Sequence, residues 1–524
     1  MTVSAVPPRR LLRLCLAALL LLLGVTLLAP MLAYPFGSDH GSFATTADVL
    51  RRGGVLYRDV WEIKLPGIYY LFAGAFAIFG RSMFAVRLLD LLWTLAAAAV
   101  LVLVGSRLLS RGAALAGAFA FLLFYALNFD YWHTAQCDGF ASLPLALAAL
   151  LTLHAEARRS SRHAFAAGLL IGLASLLKFT LATVLALPLL ALLASRGEPA
   201  RPRFARALCY LAGGVLPLVV TALLLWRAGT LDDMLRIVFT WTSAYGRLRV
   251  GGAPWQVLRL LFGGSYPILK LIGALSLAGV VSLVLARRTR PLWWFLPTWA
   301  LVIIVGIAAQ GKYFAYHWLP LLPPVGLLAG AGLVFLLERL RRSFADTGGK
   351  LISVACLAGL VVLLLAGYWA HFSRPLRYLL GDLPRDVYLA DFTASGRYFS
   401  FQADAAVAAY LQAHTQPTDT LFVWGLEPLV YFLADRPPAT RFIHNALLLA
   451  FWSPPAWRDL AVSDLQRSRP KFILIVHNDY QPWANGWDAD SATYLPNYPA
   501  LTNLLQHDYH PLGRLEDFDL WQRQ

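Results

Sequence analysis

The stretch LCLAALLLLLGVTLLAPMLAYPFGSDH, Leu14 to His40, decides the fold. Roughly twenty apolar residues, enough for a helix to cross a bilayer, run straight into a short segment dense in charge. Arg9, Arg10 and Arg13 precede the run. A cleaved secretory leader begins in the same way, but its apolar core is shorter, so the reading is a retained anchor with the N-terminus in the cytoplasm. Directly beyond, FGSDHGSFATTADVLRRGGVLYRDVWEIKLPG (Phe36 to Gly67) carries Asp39, His40, Asp48, Asp59, Glu62 and Lys64. A chain with few charges places many of them where its first span surfaces.

The remainder repeats that pattern. Of 524 residues, 58% are hydrophobic and 14% charged, and apolar segments fall near residues 12–33, 84–105, 113–127, 139–155, 164–177, 180–194, 208–226, 266–286, 292–309, 318–337 and 351–372. The expectation is an α-helical polytopic membrane protein with about eleven spans, in a range of ten to thirteen because some runs are short for a tilted helix. Basic clusters recur in alternate breaks, at Arg107 and Arg111, Arg158 to Arg162, Arg196 to Arg206, Arg287 to Arg290 and Arg339 to Lys350. By the positive-inside rule these breaks face the cytoplasm. The basic excess therefore belongs to the membrane part, since from residue 374 onward 12 Lys and Arg stand against 16 Asp and Glu, which leaves 33 against 13 before it. Arginines spread over alternate crossings do not make the single basic face that nucleic acid requires, so no nucleic-acid partner is expected. Cys15, Cys137, Cys209 and Cys356 are widely spaced, and neither a disulfide framework nor a zinc cluster is expected.

The other breaks face outward. IYYLFAGAFAIFG (Ile68 to Gly80) is too short to cross and reads as an interfacial helix, and FATTADVLRRG before it forms another, so the first outer loop is a folded cap. Near residue 374 the character changes. Apolar runs shorten to strand length in TLFVWG (Thr420 to Gly425), KFILIVHND (Lys471 to Asp479) and DFDLWQ (Asp517 to Gln522), with the helix-period segment AVAAYLQAH between. Two domains are expected: a membrane-spanning catalytic domain over residues 1–373 and an extracytoplasmic soluble α/β domain over 374–524. No P-loop, GxGxxG after a strand, or internal repeat is present.

An outward-facing carboxylate screened by an interfacial cap suits a general base. Asp39 occupies such a place, and so does Asp138, in NFDYWHTAQCDG at the outer start of a span. Lys64 in EIKLPG and Lys312 in QGKYFAYHWLP lie outside beside aromatic residues, where a lysine can hold a phosphate as a point charge, with donors added by Tyr316 and His317. Lys312 and Tyr316, four apart, share a face if that end is helical. Arg87 and Asp90, three apart, are expected to pair with each other.

The order of an early outer-loop Asp, then GGVLYRDVWEIKLPGIYYL, GRSMFAVRLL, TAQCDGF, GLLIGLASLLKFT and GKYFAYHWLPLLPP resembles the GT-C glycosyltransferases. It is similar in particular to the branch with protein O-mannosyltransferases and bacterial lipid A aminoarabinose transferases. The resemblance covers about residues 30–330. It implies transfer of a sugar from a polyprenyl-phosphate carrier to an acceptor lipid, glycan or protein, with inversion, at a multi-pass bacterial inner membrane. By position, it makes Asp39 the base and Asp138 the second acid bordering the same cavity. Lys64, Lys312, Tyr316 and His317 then fall at the donor phosphate, while His40 tunes Asp39 or contacts the acceptor. Glu62 falls near an acid that contacts metal in some relatives, one residue out of register, which leaves a divalent metal open as a cofactor. Two alternatives share the topology: a ligase or polymerase using a lipid-linked glycan, and a transporter.

Overall fold

Helices form over all eleven apolar segments in the computed structural model, which describes residues 8–194, 198–248, 253, 255–262, 266–343, 347–393 and 398–524. Arg196, one of the expected cytoplasmic basic residues, lies outside them. Among the described residues, six helices are long and apolar enough to cross a membrane, and a bent first pair makes a seventh. Ser161–Leu177, Phe179–Ala194 and Phe295–Ala308 are apolar but shorter, so length and composition support six or seven crossings, fewer than the eleven expected.

The first helix, Pro8–Leu28, passes into a 3-10 turn at Ala29–Ala33, and the chain restarts as helix Ser38–Arg51 after a bend of 83°. Pro30 and Pro35 lack the N–H groups that an uninterrupted helix needs there. The second helix of the outer loop, Gly67–Phe79, also forms, with Phe72 and Phe76 buried while Tyr70 and Ile78 stay exposed. Deeper in the bundle, helices approach through small residues. A Cβ added to Gly279 would lie 2.0 Å from the Leu328 carbonyl oxygen, and one on Gly332 1.9 Å from that of Leu275, so Pro267–Leu285 and Leu322–Ser343 touch backbone to backbone.

The last long helix, Thr347–Leu379, runs past residue 373. Beyond it, β1 (Leu421–Trp424), β2 (Phe472–Val476), β3 (Tyr509–Leu515) and β4 (Phe518–Arg523) make one sheet of order β1-β2-β4-β3. β1 and β2 are parallel and buried throughout, as their unbroken apolar runs require, while β4 pairs antiparallel with β2 and β3. Helix Phe401–His414 is capped by the Ser400 hydroxyl, which accepts the Ala403 N–H at 3.2 Å.

This part packs onto the segment that follows the first span. Ser38 and Thr45 hydroxyls donate to the Leu426 and Pro428 carbonyls at 2.8 and 2.9 Å, and the Trp61 N–H donates to the Arg441 carbonyl at 2.7 Å. A Cβ on Gly41 would stand 2.7 Å from the Leu429 backbone, so helix Ser38–Arg51 admits no side chain there. Phe36, Phe72 and Phe432 belong to one continuous core. The segment after the first span is thus clamped from both sides, which fixes what it carries.

Candidate active site

Helix Ser38–Arg51 opens from an extended Gly37, and Asp39 sits in its first turn, where unpaired N–H groups favour a carboxylate. Asp39 is half-buried. One of its oxygens accepts from the Gln136 amide at 3.3 Å, and the same amide donates to the Trp132 carbonyl at 3.0 Å. Both Asp39 and Lys64 line a cavity of about 590 Å³ with Tyr316, Glu62 and His133. Burial works against the charge on Lys64, but the Asp39 carboxylate, helped by Cys137, Tyr245 and Asp138, more than offsets it, so its pKa stays above the usual lysine range. The Lys64 ammonium lies 6.0 Å from the centre of the Tyr316 ring. A carboxylate and an ammonium therefore face one space.

The other expected residues sit behind this layer. Asp138 is 2% exposed and does not line the cavity. Both of its oxygens accept from Lys178 Nζ, at 2.8 and 2.9 Å, and Lys178 in turn lies 5.9 Å from the Tyr316 ring. The expectation of a second acid bordering the cavity is corrected accordingly: Asp138 is engaged by the Lys178 ammonium behind the cavity lining. Lys178, missed from the sequence, had one signal: it is a lysine in a break that the charge pattern reads as outward, which departs from the positive-inside asymmetry.

Lys312 also falls outside the cavity lining. It donates to the carbonyls of Leu248 at 2.8 Å and Trp483 at 3.4 Å and stands 4.2 Å from the Tyr245 ring centre, and burial pushes its pKa down to about 8. The expected shared helical face with Tyr316 does not form, since a 3-10 helix begins only at Ala315 and Lys312 precedes it. His317 bonds the Lys312 carbonyl through Nδ1 at 3.0 Å and packs edge-on against Tyr316 at 4.6 Å, a buried support for the lining ring. His40 is fully buried. Its Nδ1 accepts the Gly37 N–H at 3.2 Å and its Nε2 donates to the Thr134 carbonyl at 2.6 Å, so it fastens two loops and touches neither Asp39 nor the cavity.

Glu62 lines the cavity with both oxygens engaged. One meets His444 Nε2 at 2.9 Å, and the other accepts from the Tyr69 hydroxyl at 3.0 Å and the Ile63 N–H at 2.9 Å. Burial raises its pKa, but these bonds and the nearby charges of His444 and Lys64 win, and the result lies below the usual carboxylate range. Among the described residues no three His, Cys, Asp or Glu converge. Glu62 already takes three protein partners and no ligand cluster surrounds it among the described residues, so these residues do not fit the divalent cation that the resemblance left open.

Arg87 and Asp90 do not pair. Arg87 donates to the carbonyls of Tyr34, Pro35, Tyr131 and Thr134 and to the Thr134 hydroxyl, joining the loops that carry Asp39 and Gln136. Asp90 instead accepts from the Tyr125 hydroxyl at 2.7 Å. The far wall of the cavity comes from the C-terminal part, through Tyr398, Leu426, His444, Gln481 and Trp483.

Residues 64–226 match the family described as dolichyl-phosphate-mannose-protein mannosyltransferase. No curated protein matches the sequence. Two solved structures of ArnT from Cupriavidus metallidurans are similar over 96% of this chain and 97% of theirs. One, bound to undecaprenyl phosphate, has 15% identity and a TM-score of 0.61, and the other, in the apo state, has 16% and 0.59. The archaeal oligosaccharyltransferase AglB from Archaeoglobus fulgidus, in complex with an inhibitory peptide and a dolichol-phosphate, is similar at 12% identity and a TM-score of 0.53, over 98% of this chain and 74% of its own.

Proposed function

We propose that this chain, a GT-C superfamily member by its fold and by the match over residues 64–226, is a membrane glycosyltransferase that moves a sugar from a polyprenyl-phosphate donor to an extracytoplasmic acceptor with inversion. The observation that carries the reading is that Asp39 and Lys64 line one cavity at the point where the first span ends. Asp39 takes the proton of an acceptor hydroxyl as its oxygen attacks the anomeric carbon from the face opposite the phosphate. The bond from that carbon to the phosphate oxygen breaks, and the electron pair leaves with the phosphate. Lys64, beside Tyr316, neutralises the charge that grows there, which lowers the barrier most if it is strongest in the transition state. Lys178, from behind Tyr316, adds positive potential that Asp138 partly balances. A base opposite the leaving group fits inversion, because the acceptor oxygen then displaces the phosphate in one step.

In this reading the membrane is a bacterial inner membrane, the N-terminus is cytoplasmic and residues 374–524 lie outside. The undecaprenyl phosphate bound by an ArnT of like fold supports a lipid-linked donor. The test is a reaction of the purified protein with a polyprenyl-phosphate sugar of known anomeric configuration, read by NMR of the product. Inverted product is expected. Retained configuration, or no product from any lipid-phosphate sugar, overturns the proposal.

A further inference from the structure

Lys64 and Tyr316 line the cavity with Asp39. Three partly exposed aromatic rings also line it in succession: Trp132 meets Tyr398 edge to face at 5.9 Å, and Tyr398 meets Trp483 likewise at 5.1 Å. The row begins next to the base, because the Gln136 amide ties the Trp132 carbonyl to the Asp39 carboxylate. It ends in the C-terminal part, beside Gln481 and His444. Each of these is more than nine-tenths buried and lines the cavity, yet the Gln481 side-chain N–H₂ and His444 Nδ1 have no hydrogen-bond partner among the described residues. Buried polar atoms are rarely left so, and each costs free energy until something pairs with it.

We propose that this wall is the acceptor subsite and that the acceptor presents a saccharide ring to it, an inference that rests on Asp39 being the base. The C–H bonds on a sugar's apolar face carry slight positive charge and stack on the negative face of an aromatic ring. The hydroxyls at the sugar's edge supply both the acceptor that Gln481 lacks and the donor or acceptor open at His444. A ring stacked on Trp132 carries a hydroxyl toward Asp39. A phosphate-bearing acceptor needs a cation of its own, whereas Lys64 is the one Lys or Arg among the described lining residues, and the function proposed above assigns it to the donor.

The experiment titrates the purified full chain with neutral trisaccharides of mannose, galactose, glucose and N-acetylglucosamine by saturation-transfer NMR, with undecaprenyl phosphate binding measured separately. Wild type should bind at least one trisaccharide. Trp483→Ala should weaken it about tenfold, the loss expected for one stacked ring, and Gln481→Leu should weaken it as well, while Trp483→Phe keeps most of the affinity. Undecaprenyl phosphate binding should be the same in all three variants, which also establishes that they fold. No trisaccharide bound by a protein that binds undecaprenyl phosphate, or equal binding by wild type and Trp483→Ala, overturns the subsite. Trisaccharide binding by a protein that fails to bind undecaprenyl phosphate supports the saccharide site and removes the donor reading instead.

Discussion

Lys178 holds both carboxylate oxygens of Asp138, at 2.8 and 2.9 Å, in a place where the acid is 2% exposed. Such a pair is costly to break from one side. Asp138→Asn or Lys178→Met alone should destabilise the protein by about 3–5 kcal/mol, because each leaves a buried charge uncompensated. The double variant should lose much less than the sum. Unfolding midpoints in detergent check this. An Asp138→Asn protein as stable as wild type yet inactive in transfer would return this acid to the chemistry.

Asp39→Asn keeps the size and hydrogen-bonding reach of the side chain but cannot accept the proton. Transfer should fall by about 10²–10⁴-fold, while undecaprenyl phosphate binding persists. Turnover close to wild type would mean that another group is the base.

Lys64 and Lys312 separate by the same logic. Lys64→Ala should weaken binding of the lipid phosphate and also slow transfer at saturating donor, since the leaving phosphate gains charge as the sugar departs. Lys312→Ala should leave lipid-phosphate affinity within about threefold, because its ammonium is spent on the Leu248 and Trp483 carbonyls. Varying the donor concentration for both variants distinguishes them. The reverse order of effects would put Lys312 at the phosphate.

The Glu62 and His444 pair predicts a pH dependence with a definite sign. The carboxyl's pKa in the folded protein lies below its ordinary value of 4.5, so its contribution is full above that pH and is lost as pH falls through the folded value. Hydrogen bonds to a charged group contribute about 1.5–3 kcal/mol each, so the unfolding midpoint of wild type should drop steeply below about pH 4.5. Glu62→Gln should start lower and fall less over the same range. Parallel curves for the two proteins would show that this carboxylate does not couple folding to protons.

What was legible in the chain follows from how local each signal is. Leu14 to Leu28 announces a helix because a bilayer-length apolar run has few other outcomes. β1 and β2 are legible from unbroken runs such as FILIV. β3, YHPLGRL, is not: only its first residue is buried, Pro511 and Gly513 interrupt it, and the register shifts between them, as suits an edge strand. The site divides in the same way. That Asp39 and Lys64 line one cavity was legible because the turn after the first span concentrates charge. The partner of Asp138 could not, since Lys178 stands 40 residues on, after two intervening helical segments. Spacing misled at Lys312 and Tyr316, where four residues imply a shared face only inside an α-helix. It misled again at Arg87 and Asp90, whose partners lie 35 to 53 residues away.

Glu62 and His444 meet across 382 residues, and that separation orders events in the making of the protein. A ribosome delivers Asp39 and Lys64 to the membrane early, long before Tyr398, His444 and Trp483 exist to face them. Until then Asp39 and Lys64 stand without the wall that Tyr398, His444 and Trp483 form. On the function proposed above, transfer is gated by completion: a nascent chain that has inserted its first spans lacks the surface that would position a second reactant. Loss of the segment around residue 480 should then stop transfer as surely as loss of Asp39, from the opposite end of the chain.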